Sequence, residues 1–203
     1  MGHAGSVTLP KRFLLEGCDN CLFDPYNSIR DAILLAGRAP GLEHRTRETS
    51  EWLDQFEPEL EKHRIYVIRR DLTTPTAYQE FLAEYWDKPT FLINLEHDVV
   101  PTLNAVIRLL NCPWPACTQA YELGGHVFTG PIHPDLKDPN WCDMTGFGLM
   151  KLAPLTRRQH PLPPMGTWEH LDYRYMYSIR KTEACFKWHT HPEIIKHNHP
   201  PET

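Results

Sequence analysis

The apolar run Thr90-Phe91-Leu92-Ile93-Asn94-Leu95, ending in Glu96-His97-Asp98, constrains the fold of this chain more than any other segment. A run so apolar and so short reads as a strand buried on both faces, which is the mark of a parallel sheet. Ligands of open α/β sheets bind just beyond the carboxyl ends of such strands. Two carboxylates one residue apart at that point repel each other unless something cationic lies between them. A divalent metal carrying a phosphorylated ligand meets that demand. The plainer alternative is a surface turn with two solvated acids and a histidine.

After the acids come Val99-Val100-Pro101 and then Leu103, Val106, Ile107 and Leu110. The i, i+3, i+4, i+7 spacing predicts a short helix, so the order is strand, acidic turn, helix. Upstream, residues 12–17 read as a first strand. Asp24-Pro25 opens a helix with Ile29, Ala32, Ile33 and Ala36 on one face and Gly37 as its stop. Residues 48–56 form a second helical piece that Pro58 interrupts. Residues 64–69 are a β-branched strand, and Asp71 lies past its carboxyl end, near where a nucleoside would sit or simply capping a turn. Thr74-Pro75 caps a helix bearing Tyr78, Phe81, Leu82 and Tyr85. The alternation predicts an α/β fold with a doubly wound, mainly parallel sheet flanked by helices. Between Pro113 and Pro164, proline and glycine become dense, helices fade and short strands such as residues 117–121 appear. The expected organisation is one domain over residues 1–203, with a binding half at about 11–111 and a loop-rich half at about 112–203.

The acidic turn resembles the metal-binding motif of GT-A-fold glycosyltransferases, in which a strand ends in Asp-x-Asp. Glu96 stands where that family more often has aspartate. Three further stretches follow in the family's order. Thr145-Gly146-Phe147-Gly148-Leu149-Met150 is similar to its glycine-containing loop, Trp168-Glu169-His170-Leu171-Asp172 to its acidic helix start, and His189-Thr190-His191 with His197-Asn198-His199 to its C-terminal histidine. The resemblance spans about residues 64 to 199. It implies a nucleotide-sugar donor held through Mn²⁺ or Mg²⁺, with Asp98 and Glu96 as metal ligands completed by His197 or His199. It further implies donor contacts at Asp71, Glu96, Asp98, Gly146 and Gly148. Asp172 would be the base that deprotonates the acceptor hydroxyl in an inverting transfer, or would orient substrate in a retaining one. Glu169 would cap the helix or orient the acceptor.

Four of the 12 histidines crowd into residues 189–199. Residues two apart in a strand point the same way, so each His-x-His presents both rings to one ion. His189 and His191 are expected to touch phosphate or support the fold. The six cysteines read as reduced, buried thiols of a cytosolic protein. Cys18 and Cys21 have metal spacing, and Cys112 with Cys117 offers only a loose second pair for zinc.

A hydrophobic fraction of 41% with 23% charged residues is that of a globular chain, and the net charge of −5 argues against a protein that works chiefly by coating nucleic acid. The clusters Arg45-Thr46-Arg47, Arg69-Arg70 and Arg157-Arg158 read as solvated faces that would serve to track a backbone if the acceptor were DNA. No run approaches the roughly 18 apolar residues that cross a bilayer, and no membrane partner is expected. The expected location is cytoplasmic, or the host cytoplasm for a phage-encoded chain. Small, anchorless transferases of this type resemble those that glycosylate hydroxymethylated DNA bases, which makes such a base the leading acceptor. The competing functions are a metal-dependent hydrolase built on the Asp/His cluster and a non-catalytic metal-binding protein.

Overall fold

The computed structural model describes residues 31–39, 41–74, 76–123, 126–128, 141–142, 145–164, 171–182 and 188–198. The strand expected at 12–17, the Asp24-Pro25 helix start and Cys18 with Cys21 fall outside them.

The first described element is a strand, β1 (Ala32–Arg38), where the sequence pattern suggested a helix ending at Gly37. Ala32, Ile33 and Ala36 do fit helical spacing, but Leu34 and Leu35 between them make the run continuously apolar. Such a run suits the inside of a sheet, and Leu34 and Leu35 are buried. Gly37 serves a close approach instead of a helix stop, since a Cβ there would lie 2.4 Å from Leu72. Next comes α1 (Glu43–Lys62), which runs straight through Pro58. Pro58 and Asp54, whose carbonyl loses its partner, both lie on the exposed face, where water replaces the missing bond. There follow β2 (Ile65–Asp71), α2 (Ala77–Trp86) and β3 (Phe91–Leu95), the last buried at every residue as expected.

Strand β4 (Val99–Val100) precedes α3 (Leu103–Asn111), whose first turn is capped by Thr102 Oγ1 accepting from the Ala105 N–H at 3.1 Å. Strands β5 (Ala116–Leu123), β6 (His126–Phe128), β7 (Trp141–Cys142) and β8 (Leu149–Leu152) follow. Two helices, α4 (Pro154–Gln159) and α5 (Leu171–Thr182), precede the last strand, β9 (Trp188–His197).

The main sheet runs β2-β1-β3-β8-β5-β9-β4. Its two longest ladders, β1 with β2 and β1 with β3, are parallel. Strand β8 enters antiparallel between β3 and β5, so β5 points the same way as β3, and β9 pairs parallel with β5. Five strands therefore end at one carboxyl edge. Alternate residues send side chains to opposite faces. Leu34, Ile93 and Leu95 join Trp52, Leu53, Val106 and Leu109 of α1 and α3 in one core. Leu35, Leu92 and Leu152 join Phe81, Trp86, Tyr175 and Ile179 of α2 and α5 in the other. The sheet is covered by helices on both faces.

The short helix α4 had no counterpart in the sequence pattern, and it carries Arg157, which is fully buried and not a solvated cation. Its guanidinium donates to the carbonyls of Trp86 (2.7 Å), Leu152 (2.9 Å), Lys88 (2.5 Å) and Thr90 (2.8 Å). Burial lowers its pKa to about 10, which leaves it charged at neutral pH. Those four oxygens belong to the end of α2, the approach to β3 and the end of β8, so one side chain fixes how β3 enters the sheet. Arg157→Met keeps the stem and strands the four carbonyls. It should cost about 3 kcal/mol of stability, read as a lower urea midpoint at unchanged slope.

Candidate functional site

The carboxyl edge of β3 is where the acidic turn lies. Backbone bonds set its shape: the Glu96 N–H donates to the Gly148 carbonyl at 2.9 Å, and the Val99 N–H donates to the Glu96 carbonyl at 3.2 Å. The turn then pairs with the end of β9. Val99 faces His197, Val100 faces Lys196, and the Asn198 N–H donates to the Asp98 carbonyl at 2.7 Å. Thr49 of α1 donates its hydroxyl proton to the Val99 carbonyl at 3.0 Å, and Lys196 pairs with Glu48 at 2.5 Å. The turn is thus clamped from three directions.

This clamp brings Glu96, Asp98 and His197 together, with their ligand atoms within 4.8 Å of one another. Asp98 is buried, His197 Nε2 lies 3.5 Å from its Oδ1, and His97 Nε2 lies 3.8 Å from its Oδ2. Of the two histidines that the sequence left open, His197 is at the cluster and His199 lies outside the described residues. Glu169 also lies outside them.

Asp172 arrives from α5 on the other side. Leu171, Tyr175 and Ile179 are buried, as the helical spacing required, and Asp172 lies near enough to the acidic turn to act on Glu96. Within the described residues the helix begins at Leu171, so Asp172 is in the first turn, where the helix dipole favours a negative charge. Its Oδ1 accepts the Tyr173 N–H at 2.7 Å.

Glu96 feels both other carboxylates, Asp98 beside it and Asp172 from α5. Burial, then Asp98, then Asp172 raise the pKa of Glu96 from 4.5 to about 8. Two phenols face the same charge. Burial, then Glu96, holds Tyr78 well above its usual value, and burial, then Glu96, Asp172 and Asp98, does the same to Tyr121. An anionic cluster with this appetite for a proton has a corresponding appetite for a cation. Two carboxylates and an imidazole are donors that could hold a divalent cation.

The glycine loop works by what it lacks. A Cβ on Gly148 would lie 2.6 Å from the Tyr121 ring, and that ring stacks on His197 with centroids 5.2 Å apart and planes 18° from parallel. Gly148 therefore sets the position of the candidate histidine through Tyr121. Gly146 lies beside it, its carbonyl accepting from Thr145 Oγ1 at 3.2 Å, and Asn94 Nδ2 donates to the Phe147 carbonyl at 2.6 Å. Tyr78 and Tyr121 escaped the sequence reading, because an aromatic on a helix or strand reads first as core. Their only signal was a hydroxyl on an otherwise apolar face.

Asp71 stands at the same carboxyl edge, exposed and paired with Arg38 at 2.7 Å. His189 and His191 do not reach this edge. They lie at the start of β9, at the opposite end of the sheet, beside Cys112 and Cys117. Of the six arginines in the clusters expected to follow a nucleic-acid backbone, four are engaged: Arg69 with Asp54 and Glu57, Arg70 with Glu84, Arg47 with Glu51, and Arg157 inside the core. No helix among the described residues is long and apolar enough to cross a membrane.

No family model matches the sequence, and no curated protein matches it. Among solved structures, 80% of the chain aligns with 81% of a glycosyltransferase involved in the glycosylation of the major capsid of PBCV-1, at 12% identity and a TM-score of 0.42. That likeness is too weak to carry an argument, so function is argued from the geometry of the site.

Two outcomes follow from that geometry. Above pH 4.5 the unfolded chain has lost the Glu96 proton while the folded chain keeps it, so stability falls as pH rises until about pH 8 and then levels. In the presence of chelator, Glu96→Gln should remove that part of the slope and melt higher than the parent at pH 8. Parallel melting curves across the window would contradict the crowding of charge. Gly148→Ala should cost about 1–3 kcal/mol in a denaturant titration, because the buried Tyr121 ring has to move; Tyr121→Leu in the same background should recover part of it.

Proposed function

We propose that this chain is a metal-dependent glycosyltransferase of GT-A type, moving a sugar from a nucleotide-sugar donor to an acceptor hydroxyl. The observation that carries the proposal is the meeting of Glu96, Asp98 and His197 at the carboxyl edge of a helix-covered α/β sheet, with Asp172 near enough to act on Glu96 electrostatically. A ligand bound at such an edge lies beyond the strand ends, between the loops.

Each residue then has a task. Asp98 and His197 hold Mn²⁺ or Mg²⁺, and Glu96 joins them once its proton leaves. The metal supplies Lewis-acid stabilisation of the charge that builds on the departing nucleoside diphosphate. Tyr121 braces His197 from behind. Asp172, on a helix separate from the metal ligands, accepts the proton of the acceptor hydroxyl as it attacks the sugar. Asp71, at the same edge, is assigned to the nucleoside side of the donor. The acceptor proposed is a hydroxyl compound. A hydroxymethylated DNA base is one arm of the assay and has no support from the arginine clusters.

The test begins with thermal shift against a panel of nucleotide sugars. One of them should raise the melting temperature with Mn²⁺ and fail to do so in excess chelator. Full binding in chelator would remove the metal from the mechanism. Asp98→Asn should lower donor turnover by orders of magnitude, since the Lewis-acid role is worth several kcal/mol. Asp172→Ala should lower turnover while donor affinity stays near the parent value, because a base acts in the transition state more than in binding. Donor hydrolysis that is fast and indifferent to every acceptor, hydroxymethylated DNA included, would favour a hydrolase.

A further inference from the structure

A second cluster lies at the opposite edge of the sheet, and nothing in the sugar-transfer chemistry uses it. Cys112 closes α3 as its C-cap residue, and Cys117 lies in β5. His189 is the direct register partner of Cys117 on the parallel neighbour β9, and His191, two residues on, points to the same face. The four side chains offer two sulfurs and two imidazole nitrogens, all within 4.8 Å of one another. Cys112, Cys117 and His191 are buried and His189 is half-buried.

We propose that Cys112, Cys117, His189 and His191 form a closed, structural zinc site that ties β9 to β5 and to the end of α3. Four protein ligands of type S₂N₂ with no position left for water are the donor set of structural zinc, and soft thiolates disfavour the harder ions that the carboxylate cluster suits. With Zn–S near 2.3 Å, a tetrahedral centre holds its two sulfurs ~3.7 Å apart. The sulfurs of Cys112 and Cys117 stand 2.7 Å apart, and Cys112 Sγ is 3.3 Å from His189 Nδ1, so a shift of about 1 Å in one thiol opens the site.

The surroundings also suit a metal. His191 Nε2 is buried and makes no hydrogen bond among the described residues. The Cys112 thiol is held far below its usual range, first by the Cys117 thiol donating to it and then by His189 and His191, whereas burial pushes Cys117 up. Zinc entry displaces the remaining thiol protons to solvent and leaves a neutral centre of two thiolates, two neutral imidazoles and Zn²⁺. Lys151 Nζ donates to the Cys112 carbonyl at 2.6 Å, and the Trp114 ring packs against His189 with centroids 6.2 Å apart. Together they fix the ligands and keep water away.

The test uses the full chain, produced with zinc and purified under reductant. Elemental analysis should find one zinc per chain, retained in Asp98→Asn and absent from the Cys112→Ser/Cys117→Ser double variant. Replacing zinc by Co²⁺ in the unmutated chain should give the strong visible bands of a tetrahedral ion together with sulfur-to-cobalt charge transfer in the near ultraviolet. The cobalt spectrum needs no variant, so it decides the question even if the cysteine variant fails to fold. A chain without zinc and with both thiols titratable would overturn the proposal. So would a Cys112–Cys117 disulfide surviving reductant, or a cobalt spectrum without sulfur bands. None of these results bears on Mn²⁺ at Glu96, Asp98 and His197.

Discussion

Strand β9 is the member on which both clusters depend. It pairs with β5 along one side, and with β4 and β7 through shorter ladders. Because it runs parallel to β5, its two histidine-bearing ends reach opposite edges of the sheet. The start carries His189 and His191 to the thiols, and the end carries His197 to Asp98. Its register with β5 shifts between Gln119 and Tyr121, and buried Gln119 spans the irregularity by donating from Nε2 to the carbonyls of His191 and Glu193. An amide side chain thus does there what a ladder bond does elsewhere, and the strand stays attached beyond Pro192, which has no N–H to give. The placement of His197 follows from that repair.

Buried cations play a comparable part in the core. Arg157 and Lys151 are both fully buried, and among the described residues neither pairs with a buried carboxylate. Each donates to backbone carbonyls, and the Lys151 ammonium also lies over the Phe91 ring at 4.9 Å. Carbonyls at chain ends that no ladder or helix satisfies are the natural partners for such donors. The carboxyl edge differs, since Glu96 and Asp98 lie together there, Asp172 adds to their charge, and among the described residues no lysine or arginine pairs with them. That contrast is what the proposed metal site rests on.

Much of this was legible in the sequence, for reasons that differ from element to element. Strand β3 could be read because a short, fully apolar run has few other homes, and α5 because Leu171, Tyr175 and Ile179 keep a clean helical period. Strand β1 was misread because Ala32, Ile33 and Ala36 also satisfy that period, and only burial on both faces distinguishes the two. Pro58 was overvalued as a helix stop, since an exposed carbonyl loses little when water replaces its bond. The pair Glu96 and Asp98 announced itself as local sequence. The Cys/His cluster did not, because Cys112 and His189 are 77 positions apart and only the β5–β9 register brings them together. Arg157 looked like surface because charge is visible in a sequence and a ring of unpaired carbonyls is not.

The order of strands has a consequence for how the chain is made. Glu96 and Asp98 emerge about halfway along, yet His197 comes after every other described strand, and β5 must wait for β9 along one whole side. A growing chain therefore carries an open strand edge through the synthesis of β8, α4 and α5, the kind of edge that recruits other chains. Contacts this distant in sequence also close slowly. Such a protein completes its cluster of Glu96, Asp98 and His197 last, and its yield in a cell would be governed by how well that waiting edge is shielded.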